Sequence, residues 1–111
     1  MRVIVCGGRN FQNKLWINSH LDNIKITELA HGGANGVDSI AGEWAKENGI
    51  PVTVFTADWD SLGRAAGPIR NRRMLEEFRP DIVIAFMYGS GNGTKNMAIQ
   101  AKELGVGVLT I

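Results

Sequence analysis

Hydrophobic positions in this chain fall into short continuous runs, separated by stretches in which they recur every third or fourth residue. Arg2–Cys6, Val52–Thr56, Ile82–Phe86 and Val106–Ile111 are apolar without alternation, the pattern of strands buried on both faces, and a weaker run lies at Ile24–Ala30. Helical spacing occupies Gln12–Asn23, Gly36–Asn48, Ile69–Phe78 and Asn92–Leu104. In the second of these, Val37, Ile40, Ala41, Trp44 and Ala45 form one stripe. Gly49 closes it, with Pro51 just beyond, and Gly105 ends the last helix in the same way. Non-alternating strands, each joined to the next through a helix, predict a parallel sheet covered on both faces. The expected fold is α/β, a Rossmann-like three-layer sandwich with a mostly parallel sheet of about five strands in the order 3-2-1-4-5.

Ligands of such sheets bind beyond the carboxyl ends of the strands, near the point where strand order reverses. Four strand-to-helix segments meet at that edge: Gly7-Gly8-Arg9-Asn10, His31-Gly32-Gly33-Ala34-Asn35-Gly36, the long Ala57–Pro68 loop, and Gly89-Ser90-Gly91-Asn92-Gly93-Thr94. The last joins a buried strand to a helix on which Met97, Ala98, Ala101 and Leu104 recur. Glycine lets backbone N–H groups approach an anion closely, and a helix N-terminus adds partial positive charge, so a phosphate suits this loop. The Ser90 and Thr94 hydroxyls favour the same reading over a turn that needs glycine only for its own geometry. The Gly93-Thr94-Lys95 order is not the Walker A ending, and a dinucleotide fingerprint would follow the first strand instead.

Positive charge concentrates in Gly63–Arg73. With a helix beginning near Ile69, Arg70 and Arg73 share a face and Arg72 points elsewhere. The planar guanidinium matches phosphate or carboxylate oxygens in pairs. Arginine at a helix start opposes the macrodipole, so a bound anion accounts for Arg70 better than local stability does. Arg72 and Arg73 have an alternative use, pairing with Glu76 and Glu77 one turn on. Asp38 suits the first turn of its helix, or it hydrogen-bonds a ribose hydroxyl or Arg70. His31 has no evident partner and reads as structural or exposed rather than as a base. Trp59 either closes the core, the preferred reading, or stacks on a base. Trp16 and Trp44 belong to helix stripes, and Cys6 reads as a buried thiol.

Composition adds limits rather than chemistry. The 111 residues suffice for one domain, expected to span 1–111, and a net charge of +1 gives no whole-molecule pull towards nucleic acid or membrane. A single cysteine rules out an internal disulfide and fits a reducing, cytoplasmic setting. Val3–Cys6 is too short for a signal or a membrane span. No metal constellation and no nucleophile elbow are visible, so neither a metal nor a cofactor is expected. A domain this small with apolar helices is expected to form a homo-oligomer.

Gly32-Gly33-Ala34-Asn35-Gly36-Val37-Asp38, then Ala66-Gly67-Pro68-Ile69-Arg70-Asn71-Arg72-Arg73-Met74, then Gly91-Asn92-Gly93-Thr94, is a specific succession. It resembles the SLOG superfamily, the Rossmann-like group that joins the SMF/DprA and LOG proteins, and in particular its small YspA/YpsA-related branch. The likeness extends over Val3–Phe11, His31–Ala45, Ala57–Met74 and Asp81–Ala101. It implies a nucleotide or nucleotide-derived ligand held between the first, second and fourth loops. LOG enzymes cleave the N-glycosidic bond of nucleoside 5′-monophosphates with an arginine ahead of a methionine and a glutamate after a Gly-Gly-x-Gly-Thr loop. Arg70, four residues before Met74, matches that arginine, and Gly91, Gly93 and Thr94 match the loop. The glutamate position holds Asn96, and an amide supplies no charge to an oxocarbenium-like ribose. The resemblance therefore implies binding, as a sensor, carrier or sponge, ahead of hydrolysis, for which Asp38 or Asp58 would have to serve. DprA-like members bind single-stranded DNA through an Arg-Asn-Arg stretch, here Arg70-Asn71-Arg72, but the modest overall charge does not favour a polyanion. Asn35 stands where an arginine is often found. The expected ligand-binding residues are Gly7, Gly8, Arg9, Gly32, Gly33, Ala34, Gly36, Asp38, Arg70, Asn71, Arg73, Gly89, Ser90, Gly91, Gly93 and Thr94.

Overall fold

The computed structural model describes residues 1–111, and its apolar runs become the strands of one all-parallel sheet. The strands are β1 (Arg2–Gly7), β2 (Glu28–His31), β3 (Val52–Val54), β4 (Ile82–Phe86) and β5 (Gly107–Thr110), ordered β3-β2-β1-β4-β5. The helices are α1 (Lys14–Asp22), α2 (Val37–Glu47), α3 (Trp59–Leu62), α4 (Ala66–Arg73) and α5 (Asn92–Glu103). Five parallel strands with helices on both faces make the Rossmann-like sandwich that the apolar pattern predicts.

Side chains of the central strands alternate between two cores, because successive residues of a strand point to opposite faces. Val3, Val5, Ile84 and Phe86 pack with Ile17 and Leu21 of α1 and with Ala41 and Trp44 of α2. Ile4 and Val83 pack on the other face with Met74, Leu75 and Phe78 and with Met97 and Ala101 of α5. Only the inner strands β2, β1 and β4 are covered on both faces; the edge strands β3 and β5, expected from their apolar runs to be buried likewise, are largely exposed because each has a neighbour on one side only. No helix is long and apolar enough to cross a membrane.

Several boundaries differ from the periodicity. The second strand starts at Glu28 rather than Ile24, and the third ends at Val54 rather than Thr56. The largest difference concerns Ala57–Pro68, expected as a loop. It holds α3, capped by the Asp58 side chain accepting from the Ser61 N–H at 3.2 Å, and a 3-10 turn at Gly63–Ala65. That turn leads straight into α4, whose first residue is Ala66 rather than Ile69. Pro68 fits inside the first turn, where a missing N–H costs no hydrogen bond. Arg70 consequently lies in the last turn of α4, where the macrodipole does not oppose a cation, so the helix-start argument for a bound anion at Arg70 falls away. After Arg73 the helix widens into a π turn, Met74–Phe78, and Arg79 ends it with φ 53°.

Candidate functional site

Strand order reverses at β1, which pairs with β2 on one side and β4 on the other. The loops that leave β1, β2 and β4 therefore converge beyond one edge of the sheet. Their glycines let backbone approach backbone. A Cβ on Gly8 would lie 2.5 Å from the Gly89 carbonyl oxygen, and one on Gly36 would overlap the Gly8 carbonyl. A Cβ on Gly32 would lie 2.5 Å from Nη1 of Arg70. The Val37 N–H donates to the Gly8 carbonyl at 3.2 Å and ties the first two loops together.

Between these loops, α3, α4 and α5 lies a cleft of about 920 Å³. Gly7, Gly8, Arg9, Gly32, Ala34 and Asp38 line it from the first two loops. Arg70 and Asn71 line it from α4, and Gly89, Ser90, Gly91, Gly93 and Thr94 from the last loop. Gly33, Gly36 and Arg73 do not line it. Gly33 and Gly36 shape their turn through φ of 77° and 75°. Arg73 donates through Nε to Glu77 at 3.0 Å and lies over the Phe55 ring, while Arg72 donates to Glu76 at 2.6 Å. The shared face expected for Arg70 and Arg73 thus divides, and only Arg70 reaches the cleft.

Arg70 is held by main chain. Its Nη1 donates to the Gly32 carbonyl at 2.8 Å and the Phe55 carbonyl at 3.4 Å, and its Nε donates to Asn71 Oδ1 at 3.0 Å. Burial pulls the guanidinium below its ordinary pKa, opposed by Asp38 and Cys6, yet it stays charged at any ordinary pH. Asn71 is buried and links α4 to α5, its Nδ2 donating to the Gly93 carbonyl at 3.2 Å and to Asn96 Oδ1 at 3.1 Å. Asn96 Oδ1 also accepts from Gln100 at 2.8 Å. An amide at position 96 is therefore fixed by two amide donors.

The two helix N-termini at the cleft differ. That of α2 has no side-chain cap but carries Asp38 in its first turn, and Asp38 Oδ2 reaches back to the preceding loop, accepting from the Gly32 N–H at 3.1 Å and the Ala34 N–H at 3.3 Å. That of α5 begins at Gly91 with no side-chain cap, and no protein acceptor takes the N–H groups of Asn92, Gly93 or Thr94. The basic side chains also differ by location. Arg2, Lys14, Arg72 and Arg73 pair with carboxylates away from the cleft, whereas Arg9, Arg64, Arg70 and Lys95, which line it, form no ion pair. Asp38 is the one acidic side chain on the cleft wall.

Burial raises the Asp38 carboxyl from its ordinary 3.8 to about 6, against the pull of the Ala34 and Gly32 N–H groups, Arg70 and Arg9. Cys6 lines the floor, and burial pushes its thiol up to about 12, so it stays protonated. His31 is buried, accepts from the Gly33 N–H at 2.9 Å through Nδ1 and packs on Gly42; burial lowers its pKa and keeps it neutral. It is structural, with a partner that spacing alone does not reveal. Sequence reasoning left Arg64, Lys95 and Ile99 unassigned, and it preferred Trp59 in the core. Trp59 instead lines the cleft and is 51% exposed. The basic run around Arg64 was the available signal; a four-residue helix has no periodicity from which to place Trp59.

The Asp38 environment sets a pH dependence. A carboxyl raised on folding binds its proton more tightly in the folded state, so its contribution to stability falls as pH rises from about 4 to about 6. Asp38→Asn keeps an oxygen to accept from Gly32 and Ala34 but cannot ionise. The variant is expected to match the wild type in urea unfolding near pH 4 and to exceed it at pH 7 by up to about 3 kcal/mol. Equal stability of the two proteins at pH 7 would contradict the strained carboxylate.

The family model for the YspA, cpYpsA-related SLOG family matches residues 1–61. That span carries the β1 and β2 loops and ends just past Trp59. Gene 61 protein of Mycobacterium phage D29 is 31% identical over 118 residues, an alignment that covers 97% of this chain and 94% of the phage protein. With its all-parallel sheet and its convergent glycine loops, the chain belongs to the YspA, cpYpsA-related SLOG family.

Proposed function

We propose that the cleft binds a nucleotide or nucleotide-derived small molecule, with phosphate on the amides at the start of α5 and beside Arg70. Family membership is compatible with such a ligand. The observation that carries the reading is the contrast between the two helix ends. The α2 terminus already has the Asp38 carboxylate in its first turn, while the α5 terminus has no acidic residue there and presents N–H groups without protein acceptors to a wall lined by unpaired cations. Free amides and a guanidinium together complement a phosphate. Their positive field is local, which reconciles an anion site with a chain of net charge +1. The single-stranded DNA alternative gains less support, because Arg72 turns from Arg70 to Glu76 and no basic stripe continues along α4.

A second reading, cleavage of the N-glycosidic bond, draws support from Asp38 alone. Asp58 is committed to capping α3, and Asn96 is an amide. A carboxyl raised to about 6 beside the cleft has the acidity of a general acid or base near neutral pH.

A thermal-shift panel of nucleoside mono-, di- and cyclic phosphates tests the first reading. At a hundredfold excess over Kd a bound ligand adds about 2.7 kcal/mol, a rise of about 10 °C in a domain of this size. No rise with any member of the panel would refute it. Chromatography of the same mixtures after overnight incubation tests the second, which requires free base to accumulate.

A further inference from the structure

Helix α3 is an oddity of the fold. It has four residues, buries none of them, and is nevertheless held in shape by the Asp58 cap and by the Leu62 N–H donating to the Asp58 carbonyl at 2.9 Å. A four-residue helix with no buried residue contributes little to the core. What it presents is the indole of Trp59.

That indole has a prepared seat. Its outer ring edge rests against α4 at Gly67, where a Cβ would come within 3.1 Å of Cη2. Glycine at this helical position costs about 1 kcal/mol relative to alanine, and the close approach of the ring is what the missing methyl permits. The other aromatic rings are accounted for elsewhere: Phe11, Trp16, His20, Phe86 and Tyr88 pair with one another, and Trp44, Phe55 and Phe78 are buried in the core. Trp59 belongs to none of these pairs, is 51% exposed, and lines the same cleft as Arg64 and Arg70. A seated indole with a free face beside guanidinium groups fits one ligand chemistry above others, a planar aromatic ring attached to an anion.

We infer that Trp59 is the stacking platform for an aromatic base, so that the cleft selects nucleotides over sugar phosphates of the same charge. This rests on the anion-site reading above and adds a specificity residue to it. Phosphate is held at α5 and Arg70, and the base reaches out to α3.

The test compares AMP with ribose 5-phosphate on the wild type, Trp59→Ala and Trp59→Phe, by calorimetry and tryptophan fluorescence. In the wild type AMP is expected to quench fluorescence and ribose 5-phosphate to bind without quenching. Trp59→Ala is expected to weaken AMP by about tenfold or more and to leave ribose 5-phosphate unchanged. Trp59→Phe should recover most of the AMP affinity but show no quench, which assigns the signal to position 59 rather than to Trp16 or Trp44. Unchanged AMP affinity in Trp59→Ala, while the wild type binds both compounds, overturns the platform and leaves the anion site standing. So does a Trp59→Ala variant that alters only the oligomeric mass, which would make the indole a contact between copies. Failure of the wild type to bind either compound removes the anion site and the platform together.

Discussion

Gly36→Ala is expected to destabilise the protein by about 3–5 kcal/mol, a large share of the roughly 5–15 kcal/mol that holds a domain folded. Two costs add. Gly36 has φ 75° and ψ −127°, a conformation outside the regions open to residues with a Cβ, and such strain costs about 1–3 kcal/mol. The added methyl also overlaps the Gly8 carbonyl and lies 2.6 Å from the Arg9 carbonyl carbon and oxygen. Those atoms are main chain, the Gly8 carbonyl already accepting from the Val37 N–H, and cannot swing aside as a side-chain tip can. Forcing the first loop from the α2 terminus costs about 1–3 kcal/mol more. Chemical denaturation gives the value directly, and the same displacement should remove ligand-induced stabilisation, because Gly8 and Arg9 line the cleft.

Gly93→Ala is the control. It lies in the first turn of α5 with no atom within 4 Å of its would-be Cβ, so alanine there gains helix propensity and should leave stability equal or slightly raised. Equal unfolding midpoints for Gly36→Ala and the wild type would mean that the first two loops are not in contact.

This contrast between glycines marks the limit of what could be read before the fold was known. Gly36 and Gly93 look alike in the sequence; one is a steric necessity and the other faces open space, and only the neighbouring loop distinguishes them. The sheet was legible because Val3–Val5 and Val83–Phe86 are buried on both faces and carry no polar alternation to confuse the period. Strand order followed from the helical connections. The weak second strand was misplaced because Ile24 and Ile26 pack at the edge of the core ahead of the ladder, which begins at Glu28. Arg73 was grouped with Arg70 by spacing, but Glu77 and the Phe55 ring hold it outside the cleft. Asp38 reads from the sequence either as a first-turn carboxylate or as a partner for a ribose hydroxyl or Arg70, and its bonds to the Gly32 and Ala34 N–H groups, which depend on the left-handed turn at Gly33, are legible in neither reading. The cleft's charge was legible only in part: Arg64 and Lys95 stand in exposed segments whose neighbours no local pattern identifies.

Arg70→Ala is expected to weaken nucleotide binding by about 10- to 100-fold, the loss of a charge-assisted hydrogen-bond donor in a partly buried site. The guanidinium is already oriented by the Gly32 and Phe55 carbonyls and by Asn71, so little freedom remains to be lost when an anion arrives. Nη2 donates to no protein acceptor, and this leaves one arm of the fork for a ligand oxygen. Truncation removes that arm and also the cation that acts most strongly on Asp38, so the carboxyl should titrate still higher and the cleft become less positive. The fold itself should survive, since Arg70 is only half-buried and no core side chain depends on it. Arg70→Lys separates charge from geometry. A lysine restores the positive charge without the planar fork and should recover only part of the affinity. Gly32→Ala approaches the same point from the other side, because its methyl would lie 2.5 Å from Nη1 and push the guanidinium off its carbonyls while every charge is kept. Titration of AMP into the three variants reads all of this as Kd. Wild-type affinity in Arg70→Ala would place the phosphate elsewhere, on α5 and Lys95 alone, whereas a loss in Gly32→Ala comparable to that in Arg70→Ala would make the position of the guanidinium, more than its charge, the determinant of binding.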